Sequence, residues 1–289
     1  MRDELTRQDL ESLVIPLLDL CRAAGAAICE HYEAPHAGEY EAKDDESPLT
    51  RADLASDAVL QAGLSALDNT IPILSEESAP TDAALRRSWR RYWLVDPLDG
   101  TREFLARTGE FTINIALIND HKPILGLLYR PLENLADVGI PGLLARRYRD
   151  CGGSSWSAED LETTKLQPGQ SLLVLASRRH RGARLLACLE WLGLNWGEIS
   201  RANSGSALKF SQMAAGQGDF YPRFSPCCEW DTAAGQAVLE AAGGSLLGMD
   251  GEPLRYNRQD SLHSPHFYAI ADADHPLWQQ LLRDGPKSA

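Results

Sequence analysis

Trp93-Leu94-Val95-Asp96-Pro97-Leu98-Asp99-Gly100-Thr101 decides how this chain is read. Three apolar residues with strand character run into two carboxylates separated by a proline and a leucine and followed by a glycine. Pro97 fixes φ and keeps the chain from folding back into helix. Asp99-Gly100 turns it sharply, so Asp96 and Asp99 can point into one cavity. The Leu98 carbonyl then lies between the two acids and the Thr101 hydroxyl beside them. The plainer alternative is an Asp-Gly turn after an edge strand, one of the commonest turn signals.

Two other acidic segments weigh against that alternative. Glu76-Glu77 follows the apolar run Ile71 to Leu74, and Glu229-Trp230-Asp231-Thr232-Ala233-Ala234-Gly235 lies far downstream. Taken singly, each has an ordinary explanation: a solvated acidic pair, a helix N-cap at Asp231, and, for Asp53, a capping box with Thr50. Adjacent carboxylates at a strand end point apart, so at most one of Glu76 and Glu77 is expected to be a primary ligand. Together the segments supply four or five carboxylates, a hydroxyl and tight turns. Mg²⁺ prefers oxygen ligands and commonly shares them with substrate phosphate. Two such ions can clamp a phosphate while one activates a water, so a phosphatase is the leading expectation.

Working outward, apolar positions at helical spacing predict a helix from Leu10 to Tyr32, with Pro16 in its first turn or kinking it. His36 to Ser47 is polar and reads as a surface loop or hairpin. A second helix is expected from Ser47-Pro48-Leu49-Thr50 to Leu67. Strands are expected at Ile71 to Leu74, Tyr92 to Val95, Thr112 to Ile118, Ile124 to Tyr129 and Leu135 to Ile140. Both early acidic motifs thus sit just past strand carboxyl ends, where α/β proteins place ligands. Cys151 to Gly169 reads as a weakly structured break, dividing an N-terminal subdomain (1–150) from a C-terminal one (151–289). Beyond it, strands are expected at Leu172 to Ala176, Ile199, Phe220 to Phe224, Ser245 to Gly248 and Phe267 to Ala271. Helices are expected at Arg181 to Leu192, Ser206 to Gln217, Asp231 to Ala242 and Pro276 to Arg283. Gly205-Ser206 at the start of one of these is a candidate anion site.

The chain has 289 residues, 44% of them hydrophobic, enough for one large domain or two packed subdomains. Its net charge of −13 argues against a nucleic-acid partner, which requires a Lys/Arg stripe. Bound cations can still reverse the local field and admit a small phosphate compound. The six cysteines show no C-x-x-C pair and no zinc spacing, which fits a reducing compartment. Met1-Arg2-Asp3-Glu4 leads into no signal-peptide apolar region, and no apolar run approaches the roughly 20 residues of a membrane span. The expectation is a cytoplasmic protein. Peripheral attachment to the cytoplasmic face of the inner membrane is compatible with the composition.

The quoted motifs resemble those of the lithium-sensitive, Mg²⁺-dependent phosphatases typified by inositol monophosphatase. Within that family the chain looks most like the bacterial 3′(2′),5′-bisphosphate nucleotidases. The supporting segments are Arg91-Tyr92-Trp93, Glu110-Phe111-Thr112-Ile113-Asn114-Ile115-Ala116-Leu117-Ile118, Lys122-Pro123-Ile124-Leu125-Gly126 and Tyr221-Pro222-Arg223-Phe224. The Cys227-Cys228-Glu229 run departs from the pattern. The resemblance implies a layered α-β-α-β-α sandwich of the inositol monophosphatase / fructose-1,6-bisphosphatase type. It implies two or three Mg²⁺ ions, one held by Glu76, Asp96 and the Leu98 carbonyl and another by Asp96, Asp99 and Asp231. Thr101 with Asp53, assisted by Glu76, would orient and deprotonate the attacking water. Asp99, Gly100, Thr101, Gly205, Ser206, Lys209, Arg223 and Asp231 would bind substrate, with Lys209 and Arg223 meeting a second phosphate.

The implied reaction is hydrolysis of the 3′-phosphate of adenosine 3′,5′-bisphosphate to AMP and phosphate, clearing a by-product of sulfate assimilation. 3′-Phosphoadenylyl sulfate is a second candidate substrate. The alternatives are an inositol or sugar phosphate monoesterase on the same scaffold and a nucleotide-sensing module without turnover. Replacement of Asp96, Asp99, Thr101 or Asp231 would favour the sensor, and all four are present.

Overall fold

In the computed structural model, residues 5–34, 38–42, 48–79, 81–153, 155–177 and 182–286 are described. Two sheets organise them. The first has seven strands in the order Ile73–Ser75, Arg91–Asp99, Thr112–Asn119, Lys122–Arg130, Leu135–Ile140, Leu144–Asp150 and Trp156–Asp160. Its first pair is parallel and the rest is an antiparallel meander. The second has five, in the order Ile199–Asn203, Leu172–Ala176, Phe220–Arg223, Phe267–Ile270 and Ser245–Gly248.

The two-residue period of a strand explains the layering, because successive side chains enter different cores. On Arg91–Asp99, Trp93 and Val95 enter the core beneath helices Arg7–Glu33 and Arg51–Leu67, whereas Tyr92 and Leu94 face the other way. There they meet Phe210 and Met213 of helix Leu208–Ala214 and Ala234 and Val238 of helix Ala233–Ala241. Those helices also pack on Tyr221, Leu246, Phe267 and Ala269 of the second sheet. The opposite residues of that sheet, Val174, Phe220, Tyr268 and Ile270, join Cys188 of helix Ala183–Asn195 and Trp278 of helix Pro276–Asp284. The five layers run helix, sheet, helix, sheet, helix.

Close approach of the middle layer depends on two glycines. A Cβ on Gly126 would lie 2.3 Å from the Ala234 carbonyl oxygen, and one on Gly139 would lie 2.4 Å from the Val238 Cα. Bare backbone at both positions seats helix Ala233–Ala241, and with it the preceding turn that carries Asp231, against the first sheet.

Several expectations are corrected. Pro16 stands well inside helix Arg7–Glu33, past its first turn. That helix is long and apolar enough to cross a membrane by length and composition, contrary to the expectation that no such run exists. Its buried side, including Leu17, Cys21 and Ala24, packs into the core beneath the first sheet. Glu41–Ala42 pairs with Pro48–Leu49 as a short hairpin, while residues 36–37 and 43–47 of that stretch lie outside the described residues. Helix Arg51–Leu67 starts only after Thr50, and Ser47 of its expected start is among those outside residues. The break at Cys151 to Gly169 contains Trp156–Asp160, the edge strand of the first sheet. The Ser206 to Gln217 helix is shorter, Leu208–Ala214. Arg181 of the helix expected before it lies outside the described residues, and that helix runs Ala183–Asn195.

Candidate active site

The strand Arg91–Asp99 continues through Pro97, and its pairing with Thr112–Asn119 slips between Asp96 and Asp99. A bulge of this kind re-aims side chains at a strand end. Asp96 is buried and its Oδ1 accepts from the Leu98 amide at 3.0 Å. Gly100 follows at φ +99°, and a Cβ there would meet the Glu110 carbonyl oxygen at 2.9 Å and Ser206 Cβ at 3.2 Å. Only glycine adopts this conformation cheaply, so Gly100 lets the chain swing directly into helix Thr101–Leu105. Ser56 Oγ clamps the Pro97 carbonyl at 2.8 Å, tying the motif to helix Arg51–Leu67.

The same helix start delivers Asp53. Its Oδ2 accepts from Thr50 N at 2.8 Å and Thr50 Oγ1 at 2.6 Å, the capping box expected from sequence. Its other oxygen accepts from Thr101 Oγ1 at 3.2 Å.

Asp231 arrives differently from the expectation that it caps a helix. It closes the 3₁₀ turn Glu229–Asp231, and its Oδ2 accepts from Cys228 N at 2.9 Å. The N-cap of helix Ala233–Ala241 is Thr232. Asp231 thus spends one oxygen on the start of this turn instead of the N-cap of the following helix.

Asp96, Asp99 and Asp231 come together, with one carboxylate oxygen from each lying within 4.8 Å of the others. Burial first, and then the charges of Glu76, Asp99, Asp231 and Asp53, push the Asp96 carboxyl well above its ordinary range. Burial, then Asp99 and Glu76, raise Asp231 to about 8. Mutually repelling acids held in one buried place are what a cation would neutralise. The donor set, all hard oxygen, fits divalent Mg²⁺, Mn²⁺ or Ca²⁺ better than a thiolate-seeking metal. Glu76 lies outside the tight trio but near enough that its charge acts on both Asp96 and Asp231. Its amide donates to the Val95 carbonyl at 3.1 Å, fixing the backbone beside the motif.

A cleft of about 140 Å³ opens on two of these acids, Asp99 and Asp231; Gly100, Gly205, Ser206, Lys209 and Arg223 are among its other lining residues. The anion site expected at Gly205-Ser206 is taken up internally. Gly205 N donates to Glu110 Oε2 at 3.0 Å, and Ala207 N to Asp99 Oδ2 at 2.6 Å. Lys209 Nζ donates to the Ser204 and Ser206 carbonyls at 3.1 and 2.6 Å and lies 4.9 Å from the centre of the Tyr221 ring. Burial first, then Arg223, lowers its ammonium to about 8. Arg223 directs three N–H groups to the Tyr221 hydroxyl and the Ser225 and Pro226 carbonyls, leaving two of its five. Sequence reasoning missed the roles of Thr112 and Asn114, buried polar residues beside Asp99. Two polar side chains at i, i+2 ahead of the apolar run Ile115 to Ile118 mark the pair in sequence, but not the residue that they meet.

A layered α-β-α-β-α fold with a closely spaced carboxylate trio and a neighbouring Thr–Asp pair defines a class of metal-dependent phosphatases. The chain belongs to the inositol monophosphatase family, whose model matches residues 9–281. More particularly, it is 42% identical over 250 residues to the 3′(2′),5′-bisphosphate nucleotidase CysQ of Escherichia coli, covering 86% of this chain and 95% of that one. The Buchnera aphidicola CysQ is 35% identical, with 88% and 92% covered. The crystal structure of CysQ from Bacteroides thetaiotaomicron superposes with a TM-score of 0.79 at 33% identity, over 93% of this chain and 100% of that one.

Proposed function

We propose that this protein is a Mg²⁺-dependent 3′(2′),5′-bisphosphate nucleotidase that converts adenosine 3′,5′-bisphosphate and water to AMP and phosphate. 3′-Phosphoadenylyl sulfate is a second substrate of the same kind. The observation that carries this reading is that one cleft is lined by both acids and cations, Asp99 and Asp231 together with Lys209 and Arg223. A monophosphate ester gives a second pair of cations nothing to bind.

In this reading Glu76, Asp96, Asp99, Asp231 and the Leu98 carbonyl hold two or three Mg²⁺ ions. When bound, these supply positive charge at the transferred phosphate and its leaving oxygen and lower the pKa of a water. Thr101 donates its proton to Asp53, so its lone pairs are available to accept a proton from the attacking water. Asp53 is fixed for this by its two bonds from Thr50. Gly100 gives the substrate close access to backbone. Lys209 has one proton and Arg223 two N–H groups left for the second phosphate. Gly205 and Ser206 shape the wall between. The N-terminal unit, taken as 1–150, brings Glu76 and the Asp96-to-Thr101 motif; the C-terminal unit, 151–289, brings Asp231, Lys209 and Arg223. The nucleotidase reading also places the protein in the cytoplasm, in service of sulfate assimilation, with Li⁺ as an inhibitor.

An inositol or sugar phosphate monoesterase is the second reading, favoured by the commitment of two Lys209 protons to backbone carbonyls. Arg223→Ala separates the two. Hydrogen bonds to charged groups are worth roughly 1.5–3 kcal/mol, so kcat/KM for adenosine 3′,5′-bisphosphate should fall about 10- to 150-fold. A monophosphate substrate should be unaffected. Equal losses on both substrates, or none on either, would remove Arg223 from the second-phosphate role.

A further inference from the structure

Asp99 is held by one oxygen only. Its Oδ2 accepts three hydrogen bonds: Ala207 N at 2.6 Å, Ser206 Oγ at 2.9 Å and Asn114 Nδ2 at 3.2 Å. An oxygen with three donors is saturated. The remaining oxygen, Oδ1, is the one left for the cluster with Asp96 and Asp231.

The donors are themselves held. Asn114 is 1% exposed and Thr112 0%, on the strand that pairs with the motif strand; Asn114 lies opposite Asp96 and Thr112 opposite Asp99. Thr112 Oγ1 stands 2.8 Å from Asn114 Oδ1 and 2.8 Å from Ser206 Oγ. With its own proton on Asn114 Oδ1, Thr112 Oγ1 can only accept from Ser206, whose single proton is shared between Thr112 and Asp99 Oδ2, so Thr112 touches both side chains that grip Asp99. The acceptor-only carboxylate settles which way the amide faces: the NH₂ toward Asp99, the oxygen toward the Thr112 hydroxyl. The reverse would set an amide oxygen against a carboxylate oxygen. Ser206 adopts φ +52°, an uncommon conformation for a residue with a side chain, and that turn aims its hydroxyl at Asp99. Burying an amide and a hydroxyl in a sheet core is costly unless both are bonded, and here they are bonded only to each other, to Ser206 and to Asp99.

We propose that Asn114 and Thr112 are positioning residues for the divalent cation. Through Ser206 they lock the Asp99 carboxylate in one rotation, so that it meets the ion with a single preset oxygen. The inference rests on Asp99 being a metal ligand. Partners that orient a first ligand commonly change metal affinity by about 10- to 100-fold when removed.

The test is Mn²⁺ binding to metal-free protein, read from loss of the free-ion electron paramagnetic resonance signal, with Tm in chelator measured alongside. Thr112→Val removes the hydroxyl at nearly constant shape, and Thr112→Ser keeps it. Asn114→Leu removes the amide donor. The expected result is an Mn²⁺ Kd raised at least about tenfold in Thr112→Val and Asn114→Leu, and within about threefold of wild type in Thr112→Ser. If Asn114→Leu fails to fold, the two Thr112 variants decide alone. Wild-type affinity in Thr112→Val, or equal losses in Thr112→Val and Thr112→Ser, overturns the proposal. Absence of Mn²⁺ binding by the wild-type protein would instead contradict the metal site itself.

Discussion

Thr101 Oγ1 lies 3.2 Å from Asp53 Oδ1, a contact that spans 48 residues of sequence and joins two helix starts. The two oxygens of Asp53 have separate duties: Oδ2 caps helix Arg51–Leu67 through Thr50, and Oδ1 receives the Thr101 hydroxyl. Removing Asp53 would therefore damage a cap and a catalytic contact at once, and Thr101 is the cleaner probe. Thr101→Val keeps the shape and loses the proton relay. It should lower kcat by about 10²- to 10⁴-fold, the usual worth of positioned acid–base groups, with Tm unchanged. A rate within tenfold of wild type would take Thr101 out of the water's path.

Asp96→Asn should abolish activity while leaving a folded protein. Asp96 is assigned to both ions, and its buried carboxyl is surrounded by other acids. A neutral amide there relieves repulsion in the metal-free protein, so Tm in chelator should stay level or rise. Loss of kcat should exceed roughly 10²-fold from weakened electrostatic stabilisation. Retention of a tenth of the wild-type rate would contradict the shared-ligand assignment.

Gly100→Ala tests the turn. At φ +99° the added methyl meets the Glu110 carbonyl oxygen at 2.9 Å. Strain of about 1–3 kcal/mol should lower Tm by roughly 2–12 °C in a protein of this size. Activity should fall further than stability, because Asp99 and Thr101 flank the turn. A variant with wild-type Tm and rate would show that the turn tolerates a side chain.

Substrate affinity should depend on pH through Lys209. Burial and Arg223 hold its ammonium down to about 8, so it is charged at pH 7 and largely neutral by pH 9. Loss of that charge as pH rises through 8 weakens attraction for a second phosphate. KM for adenosine 3′,5′-bisphosphate should rise relative to KM for a monophosphate over this range, and Lys209→Met should flatten the ratio. A ratio independent of pH in the wild-type protein would exclude Lys209 from contact with the second phosphate.

The acidic motifs were legible in sequence because their geometry is local: a proline, an Asp-Gly turn and a capping box act within a few residues. The strands Arg91–Asp99 and Thr112–Asn119 were legible as short apolar runs bounded by turn signals, while the two cores that their faces enter emerge only from the folded layers. Leu144–Asp150 and Trp156–Asp160 were not. They end the sheet, and Arg146, Arg147, Arg149, Glu159 and Asp160 interrupt their few apolar residues, which protects an edge and blurs the pattern. The grip on Asp99 was illegible because it joins residues 99, 114 and 206, whose proximity only the folded sheet and the Ser206 turn create.

The most direct test of the account is phosphate release from adenosine 3′,5′-bisphosphate, inositol 1-phosphate and fructose 1,6-bisphosphate, each with Mg²⁺ and with chelator. The account predicts kcat/KM for the nucleoside bisphosphate to exceed that for inositol 1-phosphate by at least about tenfold, the worth of one charge-assisted contact to the second phosphate. It predicts no turnover in chelator and recovery on adding Mg²⁺. Equal or faster release from inositol 1-phosphate, or full activity in chelator, would contradict it.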